Sequence, residues 1–195
     1  MADEVVLLTY NPRSHHARPM TSPPLDTGER AMPAIHAADE RTTLTAMLDW
    51  YREGVALKIE GMDQQAATTS ALRSGTTAAG LVKHLALVED SWFTDRLAGR
   101  GDPEPWASAP FDDDHDWEFH SANHEPLADV VDLYATACER SRAVTADLDL
   151  GDTAVDETGR TISLRFVLVH LVEETARHLG HLDVLRELAD GRTGE

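Results

Sequence analysis

Apolar side chains return every three or four residues over four stretches of the chain, the period of an α-helix with one face turned to a core. Leu44, Met47, Leu48, Tyr51, Val55, Ile59 and Met62 define the first, over residues 38–62. After a polar segment, 63–75, Thr76 or Thr77 can cap a second helix running to residue 97, with Gly80, Leu81, His84, Leu87, Val88 and Trp92 on one face. Gly99 and Gly101 end it. Pro126, favoured in a first turn, opens the third, whose stripe is Leu127, Val130, Val131, Tyr134, Ala137, Cys138, Ser141 and Leu148. The fourth covers 161–189 and is closed by Gly191. Only 153–162 has extended character. The pattern predicts an all-α four-helix bundle over residues 31–191, a single domain. Residues 1–30, with Pro12, Pro19, Pro23 and Pro24 and no sustained period, read as an extended or disordered arm, in which Met20 offers an alternative start.

Between the second and third helices, residues 99–125 far exceed the usual connection of about four to six residues. That length suits a crossover from one end of the bundle to the other, leaving helices two and three parallel. Trp106, Phe111, Trp117 and Phe119 would pack it down, and such a loop makes a natural lid or pocket wall.

Composition narrows the partners. With 35 acidic against 17 basic residues, the formal net charge of −18 repels phosphate backbones and anionic lipid, so neither nucleic acid nor a membrane surface is expected. No apolar run approaches the roughly 20 residues of a membrane span, and Val5-Val6-Leu7-Leu8 is too short for a secretory signal, so a cytoplasmic protein is expected. Cys138 is the only cysteine, which excludes an intrachain disulfide and a cysteine-rich zinc site. Any metal must be held by histidine and carboxylate.

The fourth helix carries the strongest chemical signal. His170, Glu174, His178 and His181 fall within an arc of roughly 80° at about 100° per residue, in the sector that also holds Val167, Leu171, Leu185 and Leu188. Polar groups placed together on a core-facing stripe need hydrogen bonds or a metal. Glu174 and His178, four residues apart, can reach one ion from the same face, and His84 on the uncharged face of helix two supplies a third ligand. Gly80, one turn earlier, would let a neighbouring helix or ligand approach closely. Two imidazoles and one carboxylate leave an open position, as catalytic zinc sites do. The residues alone admit a second reading, a buried polar network without metal. The acidic run Asp112 to Asp116 lacks the glycine and terminal glutamate of a calcium loop and reads as solvated. His15 and His16 read as exposed, and Cys138 as core packing.

Two motifs carry a family resemblance: Gly80-Leu-Val-Lys-His84-Leu-Ala-Leu-Val-Glu-Asp-Ser-Trp92-Phe, and Glu173-Glu174-Thr-Ala-Arg-His178-Leu-Gly-His181. Over residues 24–191 the chain resembles the DinB superfamily of metal-binding four-helix bundles, in which one histidine of the second helix and two residues four apart on the last helix hold the metal. Most members have histidine at both of the latter positions. Glu174 departs from that and is similar to the His, Glu, His set of the mycothiol-dependent maleylpyruvate isomerase branch; the whole pattern looks closest to an actinobacterial subgroup. The resemblance implies His84, Glu174 and His178 as ligands of a divalent metal, with zinc first and nickel, iron or manganese as alternatives. His181 stands where relatives often have Gln.

The resemblance further implies a transferase or isomerase that uses a small-molecule thiol, mycothiol, together with an electrophile. A metal-bound thiol is deprotonated, and Cys138 in the core would leave a diffusible thiol as the sulfur source. His181 and His170 would orient a ligand or move a proton. Metal-assisted hydrolysis shares the same ligands, although H-E-x-x-H is missing and Glu173 lies about 100° from Glu174 around the helix. A non-catalytic metal or small-molecule binding protein, with a homodimer as one form of it, is the reading from another class.

Overall fold

A computed structural model describes residues 31–193. Four long helices form the bundle: α1 (Glu40–Ile59), α3 (Ala78–Glu89, prolonged by a π-helical segment Asp90–Leu97), α5 (Leu127–Asp147) and α6 (Leu164–Asp190). The expected N-terminal arm, with His15 and His16, lies outside the described residues. Two short helices, α2 (Gln64–Thr68) and α4 (Trp117–Ala122), occupy stretches whose sequence carries no helical stripe. Residues 153–162 do hold extended structure: β1 (Thr153–Val155) pairs antiparallel with β2 (Thr161–Ser163), Ala154 opposite Ile162. The fourth helix therefore begins at Leu164, after β2, rather than at 161.

Side chains set the ends. Asp39 accepts from the Thr42 amide at 3.0 Å, Thr77 Oγ1 from the Gly80 amide at 3.0 Å and Ser163 Oγ from the Phe166 amide at 3.2 Å, each satisfying a first-turn donor that the helix leaves unpaired. Gly191, at φ +77°, takes the left-handed conformation that closes α6.

Ion pairs fix the helix directions. Glu40 meets Arg165 and Lys58 meets Asp183, so α1 and α6 run parallel. Lys83 meets Glu125 while Asp90 meets Arg140, so α3 and α5 also run parallel. The two pairs oppose each other, since the start of α3 at Ala78 and Ala79 shares a cluster with the ends of α1 and α6 at Ile59 and Leu185, while Phe93 shares one with Leu48 and Leu168. A crossover between α3 and α5 is what this arrangement requires. It is pinned at Trp106, whose Nε1 donates to the fully buried Asp90 at 2.8 Å, while Arg140 grips the same carboxylate at 2.8 and 2.7 Å.

Two apolar clusters fill the interior, one around Val55, Leu81, Leu85, Tyr134 and Leu182, the other around Leu48, Phe93, Leu164 and Leu171. Leu188, expected on the core stripe of α6, is exposed, and with Leu185 and Ala189 it lines an open pocket against residues of α2. Arg52 and Glu89 lie buried between the clusters in a bidentate pair at 2.7 and 2.6 Å. No helix among the described residues is long and apolar enough to cross a membrane.

Removing one member of a buried pair strands the other charge. Arg52→Ala is expected to destabilise the fold by about 3–5 kcal/mol in chemical denaturation, and Arg52→Met with Glu89→Leu to recover most of that loss. An effect of Arg52→Ala below about 1 kcal/mol would contradict a net role for the pair.

Candidate metal centre

His84 lies on the face of α3 opposed to α6, about one and a half turns in from the buried N-terminal residues Ala78 and Ala79. Glu174 and His178 meet it from α6, one turn apart as their spacing requires. The three side chains are partly shielded, with 21%, 13% and 12% of their surfaces accessible. One donor atom from each lies within 4.8 Å of the others. Glu174 Oε1 is 3.0 Å from His178 Nε2 and 3.6 Å from His84 Nε2. Donor atoms on a tetrahedral zinc with bonds of 2.0–2.1 Å stand about 3.3 Å apart, so this donor set fits a divalent ion with little rearrangement.

The environment is electronegative. On its far side the His84 ring donates from Nδ1 to Glu118 Oε1 at 2.9 Å, so two carboxylates flank one imidazole. Burial pushes the Glu174 carboxyl upward, but His178, by charge and hydrogen bond, with Arg177 and His84, outweighs it and holds the group below its usual range. Burial also lowers the His178 imidazole, helped by His84 and opposed by Glu174. A neutral histidine beside an ionised carboxylate is the protonation state that a metal ligand set needs.

The column expected on α6 is only partly assembled. His181 is exposed, with its Nδ1 3.3 Å from His178 Nδ1, at the rim of the triad and not in the core. His170, half-buried, packs on Trp92 at 4.5 Å and parallel to Phe166 at 6.1 Å, and among the described residues no hydrogen bond joins it to the triad. The reason is angular: the buried stripe of α6 runs through Leu164, Leu168, Leu171, Thr175 and Leu182, and the histidine column lies along its edge. The acidic run at 112–116 stays largely exposed, Asp114 accepting from His120 at 2.8 Å.

Gly80 has the role its position suggests. A Cβ there would stand 3.0 Å from the Phe119 ring and 3.3 Å from its Cα, so the absent side chain admits α4. Phe119 then stacks on His84 with centroids 4.8 Å apart and planes 24° from parallel. Sequence reasoning missed Glu118, which sits in an aperiodic stretch. The available signal was Lys83, one of two lysines in the chain, amid the apolar residues that open α3: it is buried and reaches Ser121 on α4 at 2.8 Å and Glu125 beyond it at 2.5 Å.

The His178 shift fixes the sign of a pH effect. A group whose folded value lies below its ordinary 6.5 contributes stability at higher pH that is lost on acidification, and Glu174 acts in the same direction at lower pH. The denaturation midpoint of metal-free protein is expected to fall between about pH 7 and pH 5.5, and His178→Gln to flatten that fall. An equal slope in the variant would contradict it.

No curated protein matches the chain. The mycothiol-S-transferase family model matches residues 43–191, which takes in all three triad residues, Glu118 and nearly the whole of the four long helices. On that match, with its helical bundle, the chain belongs to the mycothiol-S-transferase family, within the DinB-like superfamily.

Proposed function

We propose that this protein is a metal-dependent enzyme that transfers a small-molecule thiol of the mycothiol class to an electrophile, or isomerises a substrate through such an adduct. The observation that carries the reading is the convergence of His84, Glu174 and His178 on one point, in a chain of this family. His84, Glu174 and His178 would hold the divalent ion, which when bound would supply the Lewis acidity that ionises a thiol at neutral pH. His178, its pKa lowered by burial, would present a neutral nitrogen to it, Glu174 a carboxylate oxygen kept ionised by its neighbours, and His84 its Nε2.

The protein's own thiol is unsuited to the work. Cys138 is buried, and desolvation, with the charge of Glu89, pushes it up to about 12, so it stays protonated. The sulfur must then arrive with a diffusible molecule. His181, exposed and in contact with His178, would pass a proton between solvent and the site. His170, with Trp92 and Phe166, would form an aromatic wall one turn from Glu174 against which the electrophile lies.

Protein purified without an affinity tag is expected to carry about one divalent ion per chain by elemental analysis, and His84→Ala and Glu174→Ala each to lose most of it. A chelator should abolish consumption of free thiol in the presence of an electrophile, and zinc should restore it. Metal content unchanged in both variants would overturn the site, and metal-independent thiol consumption would overturn the mechanism.

A further inference from the structure

Glu118 is the most completely buried carboxylate at the triad, with 5% of its side chain accessible. One oxygen accepts from His84 Nδ1; the other, Oε2, is enclosed and has no hydrogen-bond partner among the described residues. A carboxylate enclosed for stability alone is a poor choice, since a half-satisfied buried acid costs more than an amide or an apolar group of similar volume. Its single partner is the histidine whose other nitrogen faces Glu174.

We propose that Glu118 is a positioning residue of the metal centre, holding His84 as the Nδ1–H tautomer with the Nε2 lone pair turned to the point shared with Glu174 and His178. The inference rests on the metal reading given above. A carboxylate can only accept, so the proton must lie on Nδ1, and the nitrogen left with a free pair is Nε2. Phe119, the next residue, stacks on the same ring and fixes its plane, and Gly80 gives it room.

The placement of Glu118 is enforced by two residues of α3 and its cap that precede His84 and fasten to residues on both sides of Glu118. Thr77 Oγ1 donates to Asn123 Oδ1 at 2.7 Å, and Lys83 Nζ, 4.1 Å from the centre of the Trp117 ring, donates to Ser121 and Glu125. The helix that carries one metal ligand therefore also holds the short helix that orients it. Carboxylate partners of ligating histidines raise ligand basicity and fix ring orientation, and their loss costs about 10–100-fold in metal affinity.

The test compares wild type, Glu118→Gln and Glu118→Ala by circular dichroism, by zinc affinity in chelator competition, and by long-range proton–nitrogen NMR of the metal-free protein, which reads the His84 tautomer. Wild type should show Nδ1–H at His84. Glu118→Ala, with helix content unchanged, should lose that signature and bind zinc about 10–100-fold more weakly. Glu118→Gln, whose amide oxygen still accepts, should keep the tautomer and lose about tenfold, which carries the test if the alanine variant does not fold. Zinc affinity within about twofold of wild type in a folded variant, with Nδ1–H retained in Glu118→Ala, would overturn the proposal. Failure of the metal reading looks different: wild type would take up no zinc, while a tautomer that still depends on Glu118 would support the positioning role by itself.

Discussion

His84 stands between two carboxylates, and much of the architecture around it exists to keep it there. Glu118 lies on one side of the ring at 2.9 Å and Glu174 on the other at 3.6 Å, with His178 beyond. Negative groups gathered in a partly shielded cleft repel one another unless a positive charge joins them. Lys83 cannot supply it, because its ammonium is committed to Ser121 on α4 and to Glu125 just beyond it. Arg177 is tied mainly to Glu173 and reaches Glu174 only at 3.6 Å. The divalent cation proposed for the site would resolve the imbalance with the donors already in place.

The same logic extends outward. The crossover from α3 to α5 bears α4, and its course is set by polar anchors inside the bundle: Asp90 with Arg140 and Trp106, then Lys83 with Glu125. Such contacts contribute little net stability compared with apolar packing, but they are directional. The π-helical segment that begins at Asp90 is part of this arrangement, placing Trp92 against His170 while Phe93 stays in the core. Apolar clusters hold the four helices together, and buried polar groups decide where the connection lies.

The division between what was legible in the sequence and what was not follows from this. Helical periodicity located the four long helices because each buries a continuous stripe, as Val130, Tyr134, Ala137, Cys138 and Ser141 do on α5. The triad was legible because Glu174 and His178 share a helix face and His84 interrupts an apolar one. The crossover was legible from its length alone. Glu118 was not, since α4 is too short to show a period and its position depends on contacts with residues some 40 earlier in the chain. Arg52 and Glu89 were hidden for the reverse reason: charged residues on helices read as solvated until their partners are known. His170 and His181 were drawn too deep, because an arc of roughly 80° spans both the core and its margin.

The central claim is that His84, Glu174 and His178 hold one metal ion. Crystals grown with zinc and measured at the zinc absorption edge test it directly. The account predicts a single strong anomalous peak per chain, about 2.0–2.2 Å from a donor atom of each of the three residues. A peak centred elsewhere, such as on the acidic run at 112–116, or none at the triad, would contradict it.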